Sequence, residues 1–436
     1  MKNKILKVLK YSLIAIVVLI ILAIIFVSIL LFTRTVNITS TERAKAGSGT
    51  YPIVDTGQST FWNSKGAEIK APKVSDAFYG QDAQFSTNEP KYKDNGDGTI
   101  SDLVTGLMWT QTLDINGDGI INYSDKMTLS DANKFAGNVK TGNYSDWRLP
   151  TIKELYSLIN FSGVDVKPDA TESSNLRPFI DTNYFKFAYG NLDSGERIID
   201  AQVATSTIYS GKTFLIFQTM FGVNFADGRI KGYPSSVSMN GLDEKKFYAY
   251  YVRGNLAYGV NKFKDNGDGT ITDEATKLMW SQNDSGAGMD WEKALAWVQK
   301  KNSENYLGHN DWKLPDIKEL QSIVDYTRSP EATNTAAIDP LFRTMKIKNE
   351  AGQDDYGCYW SSTTHINSSK SPGEKATYIS FGRSMGKMFS QWLDVHGAGS
   401  QRSDPKVGKA TDYPDGFGPQ GDAIRIENYV RLVRAL

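Results

Sequence analysis

The chain states one pattern twice. Lys93-Asp94-Asn95-Gly96-Asp97-Gly98-Thr99-Ile100-Ser101-Asp102 returns 171 residues later as Lys264-Asp265-Asn266-Gly267-Asp268-Gly269-Thr270-Ile271-Thr272-Asp273. At the same offset Leu107-Met108-Trp109 returns as Leu278-Met279-Trp280. Asp146-Trp147-Arg148-Leu149-Pro150-Thr151-Ile152-Lys153-Glu154-Leu155 reappears as Asp311-Trp312-Lys313-Leu314-Pro315-Asp316-Ile317-Lys318-Glu319-Leu320, and each copy closes on Tyr-Val-Arg, at 251–253 and 429–431. Solenoid repeats run only about 20–50 residues, so a period this long marks a duplicated globular module. The copies are expected at residues 91–256 and 257–436. A lead-in region at 51–90 has no counterpart before the second copy and is expected to pack on the first.

The N-terminus sets the compartment. From Tyr11 to Thr33 no charged residue appears, and 23 such residues make roughly 35 Å of helix, enough to cross a hydrocarbon core of about 30 Å. Lys2, Lys4, Lys7 and Lys10 precede this segment and only Arg34 follows closely, so residues 1–10 are expected in the cytoplasm. A cleaved signal peptide would have a shorter apolar region and a small-x-small site, which Leu30-Leu31-Phe32-Thr33 does not offer. Residues 34–50 are small and polar and read as a stalk. The expectation is a single-pass protein of the cell membrane, held through residues 11–33, with both modules extracytoplasmic.

Charge and cysteine usage narrow the function classes. The chain balances 49 basic against 49 acidic residues, yet five basic and no acidic ones fall in the first 34, so the remainder carries five more acids than bases. A mildly acidic ectodomain lacks the basic stripe of a nucleic-acid binder. One cysteine, Cys358, allows no internal disulfide, so stability must come from core burial.

Each module should open with a hairpin, because Asn-Gly and Asp-Gly accept the positive φ of tight turns. Leu-Met-Trp reads as a core strand. Thr151 with Glu154, and Asp316 with Glu319, form capping boxes that start a helix. Ile152, Leu155, Leu158 and Ile159 then share one face, as do Ile317, Leu320, Ile323 and Val324. A second helix is expected at Ser130–Val139 and at Asp290–Lys301. The back half of each module reads as strands and turns, with Ile208-Tyr209-Ser210 set beside Cys358-Tyr359-Trp360-Ser361-Ser362. Val223-Asn224-Phe225 is likewise set beside Ile379-Ser380-Phe381, and Tyr-Val-Arg is read as the last strand. The fold class is α+β.

Asp-Asn-Gly-Asp-Gly-Thr, Leu-Met-Trp, Trp-Arg-Leu-Pro-Thr-x-x-Glu-Leu, Tyr-Trp-Ser-Ser and a terminal Tyr-Val-Arg together resemble the DUF1566 family, also named for the C-terminal domain of the Legionella collagen-like adhesin. The resemblance spans roughly residues 90–255 and 260–436. It implies two tandem C-type-lectin-like domains behind the transmembrane helix, with first and last strands paired and long loops carrying function. It also implies a bacterial, exported protein; a few family members are linked to adhesion, including binding to sulfated glycans, and most have no known role.

One motif stands outside the duplication. Asp114-Ile115-Asn116-Gly117-Asp118-Gly119-Ile120-Ile121-Asn122-Tyr123-Ser124-Asp125 has the spacing of a 12-residue Ca²⁺ loop. Asp114, Asn116 and Asp118 would give side-chain oxygens, Ile120 its carbonyl, Asn122 a direct or water-mediated ligand and Asp125 the last carboxylate. Aspartate where glutamate is usual shortens the reach for bidentate binding and points to affinities of ~10⁻⁴–10⁻³ M. The second module has Asn283–Asp290 there and lacks the register, so one Ca²⁺ site, structural in kind, is expected in module one. The repeated Asp-Asn-Gly-Asp-Gly-Thr has its carboxylates off that spacing and reads as a turn.

Trp147, Trp312, Tyr359 and Trp360 could stack on sugars, but aromatics beside Leu-Pro and strand residues read more simply as core. Arg253 and Arg431 read as paired structural arginines. His309, His365 and His396 share no spacing suited to a triad or metal, and Cys358 reads as a packed thiol. No catalytic residue is expected, and the chain is not read as an enzyme. The function expected is binding or adhesion at the cell envelope to a glycan or surface protein, with Ca²⁺ bracing module one. The rival is a structural or assembly component of the envelope that binds no small ligand.

Overall fold

The computed structural model describes residues 50–173, 176–235 and 244–436. The expected cytoplasmic residues 1–10, the apolar segment 11–33 and the stalk up to residue 49 lie outside the described residues. Among the described residues no helix is long and apolar enough to cross a membrane. The architecture is mixed, mostly strands with a few short helices.

The first repeat begins with β1 (Tyr92–Asp94), β2 (Thr99–Asp102) and β3 (Leu107–Thr110), and ends in β7 (Val252–Gly254). The second begins with β8 (Phe263–Asp265), β9 (Thr270–Asp273) and β10 (Leu278–Ser281), and ends in β14 (Val433–Ala435). Both hairpins turn as the sequence requires, with Gly96 and Gly98 at φ 76° and 83°, and Gly267 and Gly269 at 78° and 89°. Asn95 and Asn266 donate to Thr99 and Thr270 at 2.9 Å in both, so this motif is a turn in each copy. Each repeat thus has an antiparallel four-stranded sheet, in the orders β7-β3-β2-β1 and β8-β9-β10-β14. The first and last strands lie at opposite edges and do not pair. The last strand instead closes on β3 or β10, because Trp109 and Trp280, both fully buried, are the core residues it must cover.

That register corrects one equivalence. Val252 faces Trp109 and Arg253 faces Met108, while in the second repeat Val433 faces Trp280 and Arg434 faces Met279. The partner of Arg253 is therefore Arg434, not Arg431. Arg253 and Arg434 bind Asp146 and Asp311 at 2.6 and 2.7 Å. Arg431 is fully buried and donates to the carbonyls of Ser281, Gln282 and Arg343.

The capping boxes form as the spacing predicts, starting α2 (Ile152–Ser157) and α4 (Ile317–Ser322). Their glutamates also bind the block's basic residue, Arg148 to Glu154 and Lys313 to Glu319 at 2.7 Å. Among the described residues the other two α-helices are α1 (Leu129–Phe135) and α3 (Trp291–Ser303). Ile152, Leu155, Leu158, Ile159, Ile317, Leu320, Ile323 and Val324 are all buried in one core shared by both repeats. Trp147 and Leu149 belong to a smaller core of the first repeat, and Trp312 and Leu314 to one of the second.

The repeats are joined twice over. Strands β4 (Gln202–Val203), β5 (Thr219–Asn224) and β6 (Arg229–Pro234) form one half of a six-stranded sheet. β11 (Cys358–His365), β12 (Lys375–Ser380) and β13 (Gln401–Pro405) form the other, in the order β11-β12-β13-β6-β5-β4. Within the halves Thr219 faces Pro234 and Lys375 faces Pro405, which makes Ile230 the counterpart of Gln401. Those two counterparts pair with each other across the seam, so a pseudo-twofold axis runs through that point. The same registers make Thr205-Ser206-Thr207 the counterpart of Ser361-Ser362-Thr363. Both Ser206 and Ser362 donate to the preceding Leu-Pro carbonyl at 2.8 Å. The pairing of Ile208-Tyr209-Ser210 with the Cys358 segment is thereby shifted, while Val223-Asn224 against Ile379-Ser380 is correct.

The second junction is an exchange of lysines. Lys153 of α2 donates to the carbonyl of Ser322, the last residue of α4, at 2.6 Å. Lys318 of α4 donates to that of Ser157, the last residue of α2, at 2.9 Å, and to the carbonyl of Asp55 at 2.9 Å. Each cation sits where a helix end leaves carbonyls unpaired.

The lead-in packs across both repeats rather than on the first alone. Thr56 accepts from Phe161 of the first repeat through its carbonyl, but Gln58 exchanges two hydrogen bonds of 2.8 Å with Thr364 at the open edge of β11. Asp82 accepts from Thr56 and Thr363, and burial pushes its carboxyl up to about 7. That contact covers a sheet edge which would otherwise expose unpaired backbone groups.

Burial pushes the Lys318 ammonium down to about 8, against the pull of Asp55, so its charge is costly to keep inside. Removing it strands two carbonyls. Lys318→Met is expected to lower unfolding stability by about 2–4 kcal/mol, and Lys153→Met by less, because Lys153 is half-buried and water can replace it. Denaturant titration checks this, and a loss at Lys318 no larger than at Lys153 would contradict it.

Candidate functional site

The 114–125 loop is held by hydrogen bonds among its own residues. Asp114 accepts from Gly117 and Gly119 N–H at 2.7 and 2.9 Å, Asn116 from Asp118 at 2.9 Å, and Asp118 from Ile120 at 2.8 Å. Asn116, Asp118 and Ile120 are exposed and Asp114 is half-buried. Asp125 is fully buried, with its oxygens accepting from Ile115, Asn116 and Asn122 N–H. Asn122 and Asp125 also cap a short helical turn, with the Asn122 side chain accepting from Ser124 N–H. Among the described residues no three His, Cys, Asp or Glu side chains gather closely enough to hold a metal. The loop therefore fits Ca²⁺ in part. Asp114, Asn116 and Asp118, like Asn122 and Asp125, spend side-chain oxygens on N–H groups within the loop, and of the five only Asp125 is fully buried.

The aromatic candidates are interior. Trp147, Trp312, Tyr359 and Trp360 are at most 5 % exposed, and Trp147 and Trp312 make matching indole bonds to the carbonyls of Thr141 and Tyr306. Cys358 is buried against Ser380 and Arg425, and burial pushes its thiol up to about 11. His309 lies edge-on against Trp312. His365 is held between Ser403 and the Asp227 carbonyl.

What the sequence pattern did not single out is a cleft of about 660 Å³ beside the pseudo-twofold seam. In β6 Arg229, Lys231 and Tyr233 alternate, so all three project from one face and line it. From the second repeat come Lys375, His396, Arg402, Phe417 and Asp422. Arg229 binds Asp165 through both terminal nitrogens, at 2.9 and 2.6 Å. Lys231 binds Asp227 at 2.6 Å, and burial pushes its ammonium down to about 8. Asp422 accepts from Arg402 and sits 2.8 Å from His396 Nε2. Burial alone would raise Asp422, but Arg402 and then His396 outweigh it and hold the carboxylate well below the usual range. Burial and then Arg402 push His396 down to about 4, so it is neutral near pH 7. Gly232 N–H donates to the His396 carbonyl at 2.9 Å, and a side chain at Gly232 would meet that oxygen at 2.6 Å. Only glycine lets the two repeats approach here.

The Lcl C-terminal domain family matches residues 98–253 and again 269–395. The chain belongs to this family. Its two matches are the two repeats that the seam joins. Comparison with curated proteins and with solved structures gives no match. In this Lcl-family chain the cleft draws on both copies, and neither copy contains it alone.

Sequence spacing could have shown the alternation Arg229-x-Lys231-x-Tyr233, but not that Arg402 and Asp422, far along the chain in the second repeat, complete the wall. The folded pKa of His396, about 4, lies below the unfolded value near 6.5, so the unfolded chain binds the extra proton first. Stability held by neutral His396 is present above about 6.5 and lost as pH falls towards 4. Wild type should therefore lose on the order of 2–3 kcal/mol more than His396→Gln over that interval. Urea melts at several pH values measure it, and parallel pH profiles would contradict it.

Proposed function

We propose that this chain is a membrane-anchored, extracytoplasmic binding protein of adhesion type in a bacterial envelope, taking a glycan or surface protein in the cleft between its repeats. The single observation behind this reading is the 660 Å³ cleft, of a size suited to small ligands and lined by charged, polar and aromatic groups from both copies. The apolar segment 11–33, with lysines before it, supports the anchor. Ca²⁺ would order the first repeat's loop through Asp114, Asn116, Asp118 and the Ile120 carbonyl, with Asp125 holding the loop closed. A C-type-lectin-like kinship rests on the motif resemblance alone. The reading is non-enzymatic, and no step of it needs a reacting group.

A second reading, a structural or assembly component of the envelope, is favoured by two observations. The aromatics that could have made a sugar platform are buried, and the repeats share one core.

A glycan array probed with the full chain in detergent and Ca²⁺ separates the two. Discrete hits that fall away in Phe417→Ala, at the cleft mouth, support binding; an empty array supports the structural reading. Calorimetric Ca²⁺ titration tests the loop. One site with a dissociation constant of about 10⁻⁴–10⁻³ M, lost in Asp114→Ala/Asp118→Ala, is expected. Identical heats in wild type and variant would contradict it.

A further inference from the structure

We propose that the seam cleft is built for a sugar acid, a ligand that presents one carboxylate among several hydroxyls. The inference deepens the binding reading above and rests on it.

The cleft's polar groups are incompletely matched. Arg402 is 6 % exposed and gives one terminal nitrogen to Asp422, while its Nε and other terminal nitrogen have no partner. Asp227 Oδ1 and the Tyr233 hydroxyl, in residues at most 8 % exposed, are also without partners. Buried polar groups are nearly always satisfied, and each unmet one carries a desolvation penalty that a bound partner relieves. Lys375 lies 4.3 Å from the Phe417 ring and, among the described residues, has no carboxylate within ion-pair distance. Phe417 itself is 53 % exposed.

These needs point in two chemical directions at once. The free N–H groups of Arg402 and the ammonium of Lys375 ask for an anionic acceptor. Asp227 Oδ1 asks for a donor, which a hydroxyl provides and a second anion does not. Asp165, Asp227 and Asp422 already offset most of the positive charge, so a multiply charged ligand would meet repulsion. Phe417 offers an apolar ring for the C–H face of a pyranose. A single planar carboxylate on a hydroxylated ring meets all these demands, and a volume near 660 Å³ holds one or two such rings. The repeats do not contribute equally. Lys231 and Arg402 are counterparts, but Tyr233 corresponds to Asp404 and Arg229 to Ser400, so one asymmetric site is expected per chain.

Calorimetric titration of the full chain in detergent tests this with glucuronate, glucose and inorganic sulfate. Glucuronate is expected to bind at one site and glucose roughly tenfold or more weakly, with sulfate failing to compete. Lys375→Gln should weaken glucuronate by roughly tenfold at an unchanged melting temperature. Arg402→Lys, which keeps the charge on Asp422 but loses the guanidinium donors, should also weaken it. Glucose binding as tightly as glucuronate, or sulfate displacing it, overturns the sugar acid while leaving the cleft a binding site. Glucuronate binding indifferent to both variants, or no binding, overturns the proposal. Array hits sensitive to Phe417 would still sustain the broader reading in that case, and an empty array would remove it too.

Discussion

Each repeat ends its central helix with a carbonyl that accepts a hydrogen bond from a lysine of the other repeat. Lys153 reaches Ser322 and Lys318 reaches Ser157, so neither helix is complete without its counterpart. A helix of six residues has little stability of its own, and its value lies in the packed face and the satisfied ends. The exchange places α2 and α4 together over the shared core, and the sheet then continues across the seam through Ile230 and Gln401. The duplicated chain thus behaves like a twofold dimer whose subunits are covalently linked, with a self-complementary contact of the kind symmetric dimers use.

That symmetry also explains where the cleft lies. Counterparts placed near a twofold axis lie near each other, so Lys231 and Arg402 come close together. Like charges there are tolerable only because Asp165, Asp227 and Asp422 are interleaved among them. Divergence at single positions, Tyr233 against Asp404 and Arg229 against Ser400, then turns a symmetric seam into a one-sided cleft. Divergence elsewhere gives the first repeat its aspartate loop, where the second keeps a shorter turn in which Asp284 is tied to Tyr359 and Met345.

Local chemistry was legible in the sequence wherever the responsible residues were close together. The Asn-Gly and Asp-Gly turns, the Thr151–Glu154 and Asp316–Glu319 capping boxes and the apolar faces behind them all form as spacing requires. Long-range register was not legible. Tyr429-Val430-Arg431 copies the letters of Tyr251-Val252-Arg253, yet the strand is set by which valine covers Trp280, and that is Val433. Nor could spacing show that Lys153 and Lys318, conspicuous within the repeated block, reach across to each other's helices. Of the site, the loop at 114–125 was visible as a motif. The burial of Asp125 was not, because it depends on a capping turn that closes over it. The cleft was invisible for the same reason as the seam, since its walls come from opposite ends of the chain.

The lysine exchange and the shared sheet make the two repeats a single folding unit. Scanning calorimetry of the full chain tests it most directly, through the ratio of calorimetric to van't Hoff enthalpy. One unfolding transition for the two repeats, with a ratio near one, is expected. Two resolved transitions, each of about half the total enthalpy, would show that the repeats fold independently and that the lysine exchange and shared sheet do not couple them.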